Sequence, residues 1–187
     1  MSEHSVTVVR LDRIDEAAAA FALDVARRWM LDRAIITVNT KTDELWHPSV
    51  WVPGAEFADA VEPGPWLSGF LTTANNGVDF TAACDAFHPA GNDEPPACRQ
   101  CSTPAEGAYE EAYGDWATRW FEHRIEPVFT CRACGWSGPA GDWIGEFSLL
   151  IGAPAITFNN WPNLRADVTN ALRDLLGGRT GVVRCHL

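Results

Sequence analysis

Hydrophobic positions near the N-terminus predict a strand, a helix and a second strand in succession. Val6–Leu11 is an aliphatic, β-branched run, which is typical of a buried strand. Apolar residues at helical spacing follow, and Asp12 is a candidate N-cap for a helix that ends near Asp32. Ala34–Val38 then has the pattern of a second strand. The expected apolar stripe of the helix consists of Phe21, Val25 and Trp29.

The C-terminal end shows a similar density of regular patterns. Phe147–Ile151 and Ala155–Phe158 are apolar runs separated by Gly-Ala-Pro, which predicts a hairpin. A helix should follow and end at Gly177, because glycine commonly occupies the position after a helix. Val182–Cys185 predicts a last strand. The apolar face of this helix consists of Leu164, Val168, Leu172 and Leu175.

Together these patterns predict an α+β fold with a mixed sheet of about five strands drawn from both chain ends and two main helices. Residues 40–80 are rich in Trp, Pro and Gly, which indicates turns and at most short helices. We expect residues 1–96 and 140–187 to form one α+β core. Residues 97–139 are expected to form a metal module inserted into that core.

Two Cys-x-x-Cys pairs carry the clearest chemical signal in the chain. They are Cys98-Arg-Gln-Cys101 and Cys131-Arg-Ala-Cys134. Four thiolates paired in this way can complete a tetrahedral shell around one metal ion, with zinc the expected metal. Such a closed shell leaves no open coordination position, so one structural zinc per chain is the expected cofactor.

The second pair lies in the stretch Phe129–Trp136, where an apolar strand residue precedes the pair and a glycine follows it. This stretch resembles the second knuckle of zinc-ribbon or rubredoxin-like modules, and the resemblance extends over about residues 97–139. Ser102 stands where the first knuckle of such a module usually has glycine. In addition, 29 residues separate Cys101 from Cys131, compared with roughly 15–20 in the common spacing. An insertion between two knuckles would explain the long spacing.

Other ligand sets remain open from the sequence. Cys84, His88 or His123 could replace one cysteine in the shell, because each lies near the pairs. A disulfide or redox arrangement without metal is a further alternative. Cys185 and Cys84 are otherwise expected to be small buried hydrophobic residues.

Two groups of aromatic residues are candidate interaction sites. The insertion, residues 105–124, has four aromatic residues at helical spacing, which predicts a helix with one aromatic face for packing or for a partner. A pocket wall is the second candidate, formed by Trp46 and Trp51 with His47 between them. The helix face consists of Tyr109, Tyr113, Trp116 and Trp120.

The overall charge is the next constraint on function. With 25 acidic and 14 basic residues, the formal net charge is −11, which repels phosphate backbones and makes nucleic-acid binding unfavourable. No run reaches the roughly 18 apolar residues of a membrane helix, and the N-terminus lacks a secretory signal pattern. We therefore expect a cytoplasmic protein with no membrane partner.

No P-loop, nucleophile elbow, dinucleotide-binding or His-Glu-x-x-His motif is present, which favours a non-catalytic protein. The preferred hypothesis is a zinc-containing binding or regulatory protein that docks a protein partner, with the acidic field favouring a basic one. Two alternatives remain. The first is an enzyme or small-ligand binder with its site in residues 40–80, and the second is nucleic-acid binding through the zinc ribbon.

Overall fold

A six-stranded antiparallel sheet lies at the centre of the fold, in the strand order β10-β1-β9-β4-β3-β2. The computed structural model describes residues 4–41, 48–65, 67–73, 75–89, 94–105, 117–146 and 148–186. Two small two-stranded sheets, β5-β8 and β6-β7, accompany the main sheet. The strands are β1 (His4–Arg10), β2 (Ile36–Val38), β3 (Trp51–Pro53), β4 (Val78–Thr81), β5 (Asp85–Phe87), β6 (Val128–Thr130), β7 (Ser137–Pro139), β8 (Leu150–Gly152), β9 (Ala155–Asn159) and β10 (Thr180–His186).

Strand β1 is paired on both sides, with β10 along its full length and with β9 from Ser5 to Val9. Because successive side chains of a strand point to opposite faces, β1 contributes to two separate hydrophobic clusters. Val6 and Val8 belong to one cluster, and Val9 belongs to the other. The sheet therefore has a core on each side, and the buried strand predicted from Val6–Leu11 is an interior strand of it.

Two long helices pack on the first side of the sheet. They are α1 (Glu16–Asp32) and α4 (Ala166–Leu176), and they contact each other. The predicted stripe of α1 is wrong at Phe21, which is 70% exposed, whereas Trp29 is half-buried and packs against the core. The buried side of α1 is formed by Ala19, Ala22, Leu23, Ala26 and Met30, and the small alanines allow the helix to approach its neighbours closely.

The helix ends follow the sequence pattern in part. Asp15, not Asp12, caps α1, with its carboxylate accepting a hydrogen bond from the N–H of Ala18 at 2.7 Å. Asp12 instead accepts a hydrogen bond from the backbone N–H of Arg179. At the other end of the chain, α4 ends at Gly177 as predicted, where φ is +68°.

The α+β prediction is confirmed, but two details of strand pairing are wrong. The expected C-terminal hairpin does not form, since β8 pairs with β5 while β9 pairs with β1 and β4. In addition, residues 40–80 contribute two strands, β3 and β4, to the main sheet. They also contain the short helix α2 (Leu67–Phe70) and a 3₁₀ turn, Phe57–Ala60. Within the described residues, no helix combines the length and apolar character that crossing a membrane requires.

Candidate metal centre

The four paired cysteines lie in two chain reversals that face each other. The second reversal joins β6 to β7 and carries Cys131 and Cys134. The first carries Cys98 and Cys101, and it is closed by a bridge between Ala97 and Pro104. Two backbone hydrogen bonds, of 2.7 and 2.8 Å, join Ala97 to Ile144 and attach the first reversal to the chain that follows the second.

The two reversals share one backbone hydrogen-bond pattern. In each, the N–H of the first cysteine donates to the carbonyl five residues later, and the N–H four residues later donates to the carbonyl of the first cysteine. This identity of pattern makes them two copies of one knuckle. The bonds join Cys98 with Thr103 and Ser102, and Cys131 with Trp136 and Gly135, at N···O distances of 2.7 to 2.9 Å.

Sulfur positions match the geometry of a four-coordinate metal site. All four Sγ atoms lie within 4.8 Å of one another. The Cys98–Cys134 and Cys101–Cys131 sulfurs are 3.6 and 3.5 Å apart, so each close pair joins the two knuckles. Four sulfurs at about 2.3 Å from a central ion would be about 3.8 Å apart. The cluster could therefore hold one metal ion.

Protonation of the sulfurs differs across the cluster. Hydrogen bonds with the side chain and then the backbone of Thr103 lower the pKa of Cys101 to about 6. The backbone of Trp136 also lowers the pKa of Cys134, but loss of solvent at the sulfur and the three neighbouring cysteines outweigh it and raise that pKa to about 12. A bound cation would remove this difference between the pKa values of Cys101 and Cys134, because a coordinating thiol is deprotonated outright.

One side of the cluster is buried against aromatic rings. Cys98 and Cys131 are 0% and 4% exposed, and both belong to the hydrophobic cluster on the second side of the sheet. Trp136 and Trp143 pack in this hydrophobic cluster, with ring centroids 5.2 Å apart. Gly138 permits this arrangement, since a Cβ there would lie 2.5 Å from the ring of Trp136. The other two cysteines, Cys101 and Cys134, are exposed.

The alternative ligands lie outside this group. Within the part of the chain that the structure describes, one group of side chains could hold a metal ion, and it consists of Cys98, Cys101, Cys131 and Cys134. His88, His123 and Cys84 are described and are not members of it. None of the six cysteines, all of which lie in the described part of the chain, forms a disulfide. A mixed shell with a histidine therefore gains no support from the geometry.

Two of the five candidate pocket or interface residues, Trp51 and Trp120, lie among the described residues. Trp46, His47 and Tyr113 lie outside the described residues. Trp51 is half-buried, packs edge-on against Phe80 and lies beneath the guanidinium group of Arg27. Trp120 lies in helix α3, of which residues 117–123 are described, and it is 2% exposed within the second core. Its position indicates packing, so a partner-binding aromatic face would have to use other residues.

Sequence reasoning missed two features of the site. The hydrogen bonds of Thr103 to Cys101 depend on the folded turn, although a hydroxyl residue two positions after a ligand was visible in the sequence. The second feature is the backbone of Ser102: the sequence marked this position as lacking the usual glycine, but not its φ of +59°. It occupies the left-handed conformation that Gly135 adopts in the other knuckle, with φ of +75°.

The chain has no match in comparisons with known proteins: no family model, no curated protein and no solved structure is similar to it. The metal centre is therefore interpreted from its own geometry.

Opposite effects are predicted for substitutions at the two left-handed positions. Gly135→Ala should destabilise the protein by about 1 kcal/mol, because side-chain-bearing residues disfavour positive φ. A Cβ at this position has open space around it, so the cost is conformational. Ser102→Gly should stabilise the protein by up to about 1 kcal/mol, because it relieves the same strain.

Urea unfolding of the metal-loaded protein measures both changes. Gly69→Ala is the matched control, since its Cβ also meets open space but its φ is not positive. Destabilisation by Ser102→Gly, or none by Gly135→Ala, would contradict the equivalence of the two knuckles.

Proposed function

We propose that the protein is a zinc protein in which one ion, bound by Cys98, Cys101, Cys131 and Cys134, holds the two knuckles together. The observation that carries this proposal is the convergence of four sulfurs within 4.8 Å. Tetrahedral sulfur coordination is the preference of zinc and of iron in iron–sulfur proteins. Zinc is the proposed occupant because the two knuckles supply a closed four-thiolate shell of the structural type.

The proposed role of the metal is structural. Four thiolates leave no coordination position for water or substrate, so the ion has no place for Lewis-acid chemistry. Its binding energy is instead available to fix the fold of the chain around it. We propose a binding protein, located in the cytoplasm, where thiols remain reduced and available to zinc.

A group of exposed apolar residues on and beside the metal module is the proposed docking surface. We call it the module surface and define it as Phe121, Ile125, Val128 and Ile144. These side chains are 46%, 50%, 64% and 57% exposed. Among the described residues, eight large hydrophobic side chains are exposed, and four of these eight lie within residues 121–144. Concentrated apolar exposure supports a protein-binding role.

The proposed partner is a basic protein. A formal net charge of −11 attracts a positively charged partner and accelerates its association at low ionic strength. The same charge repels nucleic acid, whose binding requires a local excess of Lys and Arg. Nucleic-acid binding through the knuckles is therefore the disfavoured alternative. The alternative site in residues 40–80 involves Trp46 and His47, which lie outside the described residues.

The first test of this proposal is the metal content of the purified protein. Protein purified without chelators should contain one zinc per chain, measured by elemental analysis. Cys134→Ser should lose most of this zinc, because it removes one of four ligands. Cys185→Ser is the control, since Cys185 lies outside the sulfur group, and it should retain full zinc. Iron in place of zinc, or a metal content near zero, would contradict the zinc assignment.

The second test concerns the module surface. Val128→Glu and Ile125→Glu should abolish capture of a basic protein from the native host while zinc content and thermal stability stay unchanged. Phe21→Glu is the matched control, because Phe21 is 70% exposed but lies on α1. It should leave capture intact.

Capture followed by mass spectrometry and by salt titration distinguishes the outcomes. A basic partner should be released as ionic strength rises, because screening weakens attraction between exposed charges. If Val128→Glu and the control Phe21→Glu reduce capture equally, the module surface is excluded as the docking site. Recovery of nucleic acid, with retention on heparin at about 50 mM salt, would favour the nucleic-acid alternative.

A further inference from the structure

A pocket of about 240 Å³ lies where the chain between the two knuckles meets the end of the main sheet. Four segments of the chain line it: the loop after β1, the end of α3 and the residues that follow it, the β8–β9 turn and the α4–β10 turn. Trp120 forms part of its wall from the buried core. Three arginines, Arg13, Arg124 and Arg179, line the same pocket. Two acidic residues, Asp12 and Glu126, also line it, so arginines outnumber carboxylates by three to two in a chain of net charge −11.

Arg179 is surrounded by three carboxylates, those of Asp12, Glu126 and Asp142. Its guanidinium group donates to both carboxylate oxygens of Glu126, at 2.8 and 3.1 Å, and to Asp142 at 2.7 and 2.9 Å. Its backbone N–H donates to Asp12 at 2.5 Å. These contacts raise the pKa of Arg179, with the hydrogen bond to Glu126 as the largest cause. Arg179 therefore has the carboxylates of this region as its partners and serves to fix the pocket wall.

The other two arginines are not compensated. Across the residues that the structure describes, neither Arg13 nor Arg124 forms an ion pair or a side-chain hydrogen bond. Both residues line the pocket, Arg13 from the loop after β1 and Arg124 from the end of α3. Loss of solvent and then the positive charge of Arg13 lower the pKa of Arg124. The two guanidinium groups thus repel each other, and an anion between them would remove that repulsion.

The backbone of Arg124 is also unfavourable for a residue with a side chain. Its φ is +58°, and its N–H donates to the carbonyl of Trp120 at 2.9 Å where α3 ends. This conformation favours glycine, and another residue there is less stable by about 1 kcal/mol or more. Arg124 therefore combines an unfavourable backbone conformation with a guanidinium group that faces another arginine, Arg13, that the described residues leave unpaired. This pattern is expected where a side chain is retained for binding rather than for stability.

We propose that this pocket binds a phosphate group, as the free ion or as part of a small metabolite, between the guanidinium groups of Arg13 and Arg124. Among the described residues, neither guanidinium group has a carboxylate partner, while Asp12 and Glu126 of the same pocket are held by Arg179. Guanidinium groups bind phosphate oxygens through paired, charge-assisted hydrogen bonds. The pocket volume admits a phosphate with a small organic group attached. This site is independent of the proposed docking of a protein partner.

Titration calorimetry of the metal-loaded protein with inorganic phosphate and with glycerol phosphate tests the proposal. Wild-type protein should bind one phosphate per chain in a saturable manner, and acetate should bind far more weakly. Arg13→Gln and Arg124→Gly should each weaken phosphate binding by about tenfold or more, since each removes a charged hydrogen-bond donor. Tighter binding of glycerol phosphate would identify a metabolite as the source, and tighter binding of inorganic phosphate would identify the free ion.

Arg119→Gln is the matched control, because Arg119 lies in α3 but does not line the pocket, and it should bind phosphate as wild type does. Arg124→Gly has a second expected effect, an unchanged or higher melting temperature in phosphate-free buffer, because glycine relieves the positive φ. Stability gained while binding is lost separates a binding role from a structural one. The melting temperatures are compared without phosphate because phosphate also stabilises proteins non-specifically. Unsaturable or undetectable binding, or equal binding by all variants, would overturn the proposal.

Discussion

The packing of four sulfur atoms within 4.8 Å is the constraint on which the metal module depends. Four thiolates at this distance repel one another, and four thiols would leave the cluster without a strong bond. A divalent cation resolves both problems, because it replaces repulsion with four metal–sulfur bonds. The close sulfur pairs join one knuckle to the other, so the metal would connect two chain segments that are 29 residues apart in the sequence. Their relative position then fixes the β6–β7 hairpin and the aromatic residues around it.

The main sheet connects this module to the rest of the protein. Its first side is covered by α1 and α4, where fully buried residues such as Phe158 and Trp161 form the larger cluster. Its second side contributes Val9, Ala155 and Val183 to the same cluster as Cys98 and Cys131. The module therefore packs on one face of the sheet, while the other face has an independent core. The pocket lined by Arg13, Arg124 and Arg179 lies where the loop after β1 meets the chain between the two knuckles.

The fold class, the buried strand β1, the end of α4 and the four grouped cysteines could be predicted from the sequence, because each depends on local pattern or fixed spacing. The prediction failed for features that depend on contacts between segments distant in the sequence. Strand β8 pairs with β5 rather than with its neighbour β9, and no local signal contains that choice. On α1, the alanines are buried and Phe21 is exposed, since the close approach of α4 favours small side chains. The pocket arginines come from distant segments and had no shared sequence signal. The proposed division into core and insertion remains a prediction.

Hydrogen exchange of the zinc-loaded and the chelated protein is the most direct test of whether the metal organises the module. After chelation, we expect protection to fall in residues 97–105 and 128–139, where the knuckle hydrogen bonds lie. Protection in β1, β9 and β10 should persist, because their ladder and the helix-side core need no metal. Identical protection with and without metal would contradict a structural role for the sulfur cluster. Parallel loss in β1 and β10 would show that the module and the sheet fold as one unit.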